Sequence, residues 1–242
     1  MNADRLRERA PNANAVERIP PSRWPARTSL EGTWCVLDPV DPDRHAAMLH
    51  EGSHGSPAIE ELWAYMPYGP FASLAAFRAW LGDSASGADP LFYTIVDRAS
   101  GRYVGMASYL NIHPKSGSIE IGHIWFSPAV QRTRLTTESL YLMMRHAMED
   151  LGYRRLEWKC NALNEPSRAA ARRLGFRYEG IFYNHLVVKG RNRDTAWYSI
   201  LDDEWASVRA MFEHWLAPEN FDDGGRQKRA LSALAAARQA AL

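Results

Sequence analysis

Two stretches of the chain carry residue types suited to chemistry. Residues 131–138 read QRTRLTTE, and an apolar helical repeat begins inside them. A loop opening into a helix leaves the first backbone N–H groups without intrahelical partners, and the helix dipole adds partial positive charge there. Arg132 and Arg134 add charge, and Thr136 and Thr137 add hydroxyls, so the stretch suits an anion such as a phosphate. It also fits a surface loop with N-cap threonines. The second stretch, 118–126, reads SIEIGHIWF. Glu120 lies there in an apolar strand. Burial disfavours an unpaired carboxylate and raises its pKa, which suits a base; a carboxylate bonded to a neighbouring strand or arginine is the alternative. Strand alternation puts His123 on the opposite face, as a second candidate base or as a core or rim histidine. His50, Glu51, Gly52, Ser53 and His54 match a zinc-protease spacing. That site needs both histidines on one continuous helix, and Gly52, Gly55 and Pro57 oppose one. No third ligand is evident, so no metal is expected.

The elements that would position these groups follow from periodicity. Residues 1–30 are polar and proline-rich, an arm draped on the surface or disordered, in which Trp24 could dock. TWCVLD fits a first strand. Asp41 and Pro42 start a helix, Ser56 and Pro57 a short helical piece, and Ser73 a third helix. LFYTIVD, YVGMASYLNI and SIEIGHIWF read as three consecutive antiparallel strands. A helix over 133–151 follows, with Leu140, Met143, Ala147 and Leu151 on one stripe. RRLEWKC is a strand, 166–174 a helix closed by Gly175, and the stretch after it a hairpin turning at RNRD. Residues 203–216 are helical, and the alanine-rich stretch 226–242 is helical and detached. The class is α/β (α+β): a mixed sheet with helices on both faces, in one domain spanning 31–216, with an arm at 1–30 and a tail at 217–242.

The order of these motifs resembles the GCN5-related N-acetyltransferases. The 131–136 stretch is similar to the family's acetyl-CoA loop, Gln/Arg-x-x-Gly-x-Gly/Ala, with Gln131 in place but Arg134 and Thr136 where glycines usually stand. Asn164, Pro166 and Ser167 resemble its Asn-x-x-Ser helix start, and Leu174-Gly175-Phe176 its helix end. EIGHIWFSP resembles its fourth strand, and GTWCVLDPVDPDRHAAML the entry of the ribosomal-protein-alanine (RimJ- and RimL-like) branch, which acetylates ribosomal-protein N-termini and diverse small amines. The resemblance covers about 27–205. It implies a mostly antiparallel sheet of six to seven strands, splayed between the fourth and fifth. It implies acetyl-CoA as co-substrate, held by Ile124, Trp125, Phe126, Gln131, Arg132, Thr133, Arg134, Leu135, Thr136, Thr137, Asn164 and Ser167, with Arg168 and Arg172 as phosphate contacts or solvated helix charges. Backbone N–H groups at 125–127 would steady an oxyanion. Glu120 or His123 would be the base and Ser167 the acid, since Ala171 replaces the tyrosine that many members use; Tyr183 or His185 could serve instead. Trp63, Tyr65, Tyr68, Phe71 and Tyr183 would line the acceptor site. The acceptor is a small-molecule amine or a protein N-terminus. A CoA-binding sensor or scaffold without transfer, or use of another acyl-CoA, is the alternative.

Composition limits the other classes. Of 242 residues, 46% are apolar and 24% charged, ordinary for a globular protein. A net charge of +1 argues against a nucleic-acid partner, which needs a concentrated basic surface. No apolar run reaches a membrane-spanning length. Two cysteines, Cys35 and Cys160, cannot make a disulfide framework, which points to a cytoplasmic protein; a monomer or a homodimer is expected. Cys160 reads as a buried structural thiol.

Overall fold

The alternating stretches pair into one eight-stranded sheet in the computed structural model, which describes residues 22–240. The strands are β1 (Leu30–Glu31), β2 (Cys35–Pro39), β3 (Leu91–Asp97), β4 (Tyr103–His113), β5 (Ser118–Phe126), β6 (Arg155–Asn161), β7 (Arg177–Val188) and β8 (Arg191–Leu201). Across the sheet they run β1-β2-β3-β4-β5-β6-β8-β7. Only β5 and β6 pair in parallel. The expected mixed sheet is present, with eight strands rather than six to seven; β1 has two residues.

Helices cover both faces, so the central strands read as apolar runs rather than strict alternation. Leu91, Tyr93 and Ile95 of β3 join the core under α4 (Arg134–Arg145) and α6 (Asp202–Leu216), while Phe92 joins the core under α1 (Pro42–Ser53) and α3 (Leu74–Ser86). The short α2 (Pro57–Glu60) lies between α1 and α3 in sequence, and α5 (Glu165–Arg173) follows β6. Leu140, Met143, Ala147 and Leu151 are all buried, as their stripe predicts. The last two lie in and just after a π turn, His146–Asp150, that follows α4.

Glu138 fastens α4 to the start of the sheet. Its buried carboxylate accepts hydrogen bonds from the backbone N–H groups of Thr33 (2.8 Å), Trp34 (2.7 Å) and Cys35 (3.1 Å). The chain passes so closely that a Cβ on Gly32 would lie 2.5 Å from Glu138 Oε2.

Three features depart from expectation. The last hairpin turns at Lys189 and Gly190, not at RNRD. Both residues have positive φ, the geometry that matches the twist of paired strands, and this makes 191–194 part of β8. The C-terminal stretch is not detached. Its helix α7 (Leu231–Ala240) buries Leu231 and Ala235 in the main core, and Arg238 donates to Gly175 O at 2.7 Å. In the arm, Ser22 Oγ donates to Gly152 O and Arg23 N to Leu151 O, but Trp24 is 47% exposed and does not dock. The rest of the arm, 1–21, lies outside the described residues.

Candidate active site

The parallel pairing of β5 with β6 lasts three residues, Ser118 to Glu120 against Arg155 to Glu157. Beyond it the two strands part, leaving 121–126 of β5 and 158–161 of β6 facing a cleft of 1360 Å³. On the far side of β5 the ladder with β4 continues: Ser127 N donates to Val104 O, and Gly105 stands opposite Phe126. Ser127 N–H is therefore spent on β4 and is not a free oxyanion donor. Alternation instead turns the backbone groups of Phe126, and of Ile124 two residues earlier, into the gap. Phe126 O accepts from Gln131 Nε2 at 3.1 Å, which ties the following loop to the strand.

That loop opens α4 without a side-chain cap. Thr133 stands at the N-cap position, but its hydroxyl donates to Val130 O at 2.7 Å instead of accepting from the helix. The first N–H groups of α4 thus remain available to an anion. Arg132 adopts φ 63°, so this chain makes its sharp turn with an arginine. Gln131, Arg132 and Thr136 line the cleft; Arg132, Thr133, Arg134 and Leu135 line an adjoining hollow of 650 Å³ against Trp215, Phe221 and Arg226. The Arg134 guanidinium lies over the rings of Trp34 (5.2 Å) and Phe221 (4.2 Å). Thr137 is buried, and its hydroxyl accepts from Arg173 Nη1 at 3.1 Å.

Across the gap, Asn164 caps α5 by accepting from Ser167 N at 3.1 Å, and Ser167 Oγ accepts from Trp158 Nε1 at 3.1 Å. The Ser167 hydroxyl also hydrogen-bonds with the side chain of Cys160. Arg168 and Arg172, expected near phosphates, are occupied elsewhere: Arg168 donates to Tyr198 Oη and Ala162 O, and Arg172 pairs with Glu165. Arg173 is the arginine of α5 that lines the cleft. Among the described residues it has no carboxylate partner, and burial lowers its pKa.

The opposite face holds the titratable groups. Glu120 is 5% exposed; its Oε2 accepts from Asn111 Nδ2 at 2.6 Å and lies 3.0 Å from Lys159 Nζ. Burial raises its pKa, and Lys159 and Asn111 oppose the rise. Lys159 is also 3.0 Å from Glu157 and lies over the Trp197 ring at 4.0 Å.

His123 does not point away from Glu120. Met106 and Ser108 are two apart on β4, while their partners Trp125 and Gly122 are three apart on β5, so β5 carries one extra residue. His123 takes φ 53° at this bulge, which breaks the alternation. Its ring lies 5.5 Å from Tyr68 and 5.1 Å from Phe92, on the α1–α3 side that Glu120 also faces. Its Nδ1 is 2.7 Å from Tyr68 Oη, and burial, then Arg193, lower its pKa to about 4.

Glu120, His123 and Ser167 all border the cleft, as do Ile124, Trp125, Phe126 and Asn164. Of the expected acceptor residues only Tyr65 does, and its hydroxyl donates to Leu163 O at 3.2 Å. Trp63 is fully buried beneath that wall, Tyr68 meets the site only through His123, and Tyr183 is 75% exposed on the hairpin. Lys159, Arg173 and Arg193, with Gln227 and Leu231 of the C-terminal segment, also line the cleft, and Asn111 bonds to Glu120; nothing local in the sequence marks them. Cys160 lines the cleft with its pKa raised by burial. The His50–His54 pair lies on and just after α1, which continues through Gly52 to Ser53. The two rings stack at 4.2 Å, and His54 Nε2 accepts from Phe71 N. Among the described residues no group of three or more His, Cys, Asp and Glu is placed to hold a metal. No helix there is long and apolar enough to cross a membrane.

A sheet splayed beside an uncapped helix start defines a class. The family profile described as the Acetyltransferase (GNAT) domain matches residues 35–177, more than half of the chain, and the chain belongs to this family. A GCN5-related N-acetyltransferase from Brucella melitensis is 42% identical, with a TM-score of 0.86 over 89% of this chain and 97% of that one. A probable acetyltransferase of the same family from Chromobacterium violaceum ATCC 12472 is 38% identical, with a TM-score of 0.76 over 81% of this chain and 98% of that one. The "Putative ribosomal N-acetyltransferase YdaF" of Bacillus subtilis (strain 168) is 31% identical over 105 residues; the match spans 43% of this chain and 57% of that relative.

Proposed function

We propose that the protein transfers an acetyl group from acetyl-CoA to a primary amine by direct attack in a ternary complex. The observation that carries this reading is the gap between β5 and β6, with the N–H groups of Ile124 and Phe126 on one edge and the uncapped start of α4 at its end. Those strand groups suit the amide-bearing arm of CoA, which can add to β5 as a strand would. The α4 amides, Arg132, Arg134 and Arg173 suit its phosphates. CoA supplies an activated thioester.

The gap joins the two faces of the sheet, so the thioester arrives from the α4–α5 side and the amine from the α1–α3 side. The amine nitrogen forms a bond to the acetyl carbon, and the carbon–sulfur bond then breaks. Glu120, directly or through one water, takes the proton that the nitrogen loses, and Ser167 donates one to the departing sulfur. Burial makes Glu120 a stronger base than an exposed carboxylate, and Lys159 keeps it ionised enough to act. His123, held neutral beside Tyr68, orients the amine by hydrogen bonding.

Free-thiol release from acetyl-CoA, measured with a panel of amines beside CoA binding by calorimetry, tests the reading. Amine-dependent release is expected. Tight CoA binding with no release from any amine would make the protein a CoA-binding module instead.

A further inference from the structure

The acceptor side of the cleft contains a cation that the described residues do not neutralise. Along β6 the charges on this face are matched: Lys159 lies between Glu120 and Glu157, and Arg155 between Glu157 and Glu179. Arg193, on β8, has no such partner. It borders the cleft from β8, and no carboxylate among the described residues lies within ion-pair distance of it. Among the described residues its Nε is buried without a hydrogen-bond partner, and so is Nε1 of Trp197, four residues along the same face of β8. Both atoms are N–H donors that cannot accept. A buried donor without an acceptor destabilises a fold, so a ligand rich in acceptors would offset that cost.

Position adds a second constraint. Trp197 stands opposite Lys159, whose ammonium contacts Glu120. Glu120 is in register with Glu157, and Glu157 with Ser199, so Arg193 lies six residues along β8 and two strands over from the proposed base, roughly 20 Å between Cα atoms. The arginine side chain shortens that distance, and its charge is felt at both Glu120 and His123. Both side chains border the same cleft, so a molecule with its amine at Glu120 can extend across it to Arg193.

Resting on the transferase reading, we infer that the acceptor is an amine carrying a carboxylate a few bonds from its nitrogen, and that Arg193 binds this carboxylate. An amino acid has this form, and so has a peptide N-terminus whose next side chain is acidic. The planar guanidinium fork matches a carboxylate geometrically.

Two isosteric pairs separate these sources: alanine against alaninamide, and Ala-Glu-amide against Ala-Gln-amide. For each pair the ratio of kcat/KM is measured, with each amine corrected for its neutral fraction. The ratio of Kd for the CoA-saturated protein is measured by calorimetry. One pair should favour the carboxylate about tenfold or more, the scale of a charge-assisted hydrogen bond. Arg193→Gln should bring that ratio close to one, and Arg193→Lys should keep part of it. Ratios near one for both pairs in the parent protein, or an undiminished ratio in a folded Arg193→Gln, would overturn the inference. If no amine releases thiol, the transferase reading fails, and the Arg193 assignment is still decided by the Kd ratios.

Discussion

At Glu120 two forces act against each other. Burial pushes its pKa up, and Lys159 and Asn111 pull it back. The net rise has a sign consequence for stability. A carboxyl group whose folded pKa exceeds its unfolded value contributes most below the unfolded pKa, and that contribution is lost as pH rises through the folded pKa. At neutral pH ionised Glu120 therefore disfavours the fold, and Lys159 retains Glu157 if Glu120 is neutralised. Glu120→Gln should melt at or above the parent temperature at pH 7, and the difference should shrink as pH falls through the raised pKa. A large drop in melting temperature at pH 7 would mean that the carboxylate holds the sheet together. His123 gives a second prediction. Burial lowers its pKa to about 4, so its ring resonances should stay constant from pH 8 to pH 5 in an NMR titration. A midpoint between pH 6 and pH 7 would make it a rival base.

Two predictions belong to the elements. Glu138 of α4 satisfies three backbone donors before and within β2 with one buried carboxylate. Glu138→Ala leaves those donors unpaired, and urea unfolding should show a loss of about 2–4 kcal/mol. A loss below half a kcal/mol would show that water replaces the carboxylate. The C-terminal segment is the other. Leu231 and Ala235 are in the main core, and Gln227 and Leu231 also line the cleft. Truncation after Pro218 should lower the melting temperature by on the order of 5–10 °C and weaken CoA binding. Parental values for both would mean that α7 is an accessory.

Over the whole molecule, period and caps made the helices and the antiparallel strands readable, because each buries an apolar stripe or run that its own residues define. Asp41, Ser56 and Ser73 cap helices where their side chains suggest. The turn into α4 after Gln131 and the Asn164 cap are readable for the same reason: each is set by neighbouring residues. What escaped depended on partners distant in sequence. The bulge at His123 is set by its register against β4, so alternation alone put that ring on the wrong face. Arg193 reads as a turn residue, because RNRD is polar, while the positive-φ pair Lys189 and Gly190 makes the turn. Lys159 gains its meaning only from the short parallel pairing that sets β6 beside Glu120. Alanine-rich α7 looked detachable because its apolar partners lie on α5 and α6.

The measurement that bears most directly on the central claim is amine-dependent thiol release by the parent protein and by Glu120→Gln, followed from pH 6 to pH 10 beside CoA affinity. Base removal commonly lowers a rate by about 10²–10⁴-fold. The substitution should reduce kcat on that scale near pH 7 and leave CoA affinity close to the parent value. Part of the rate should return at high pH, where the amine is already neutral. Full kcat across the whole range in the folded variant would contradict the assignment of Glu120 and of the cleft face it occupies.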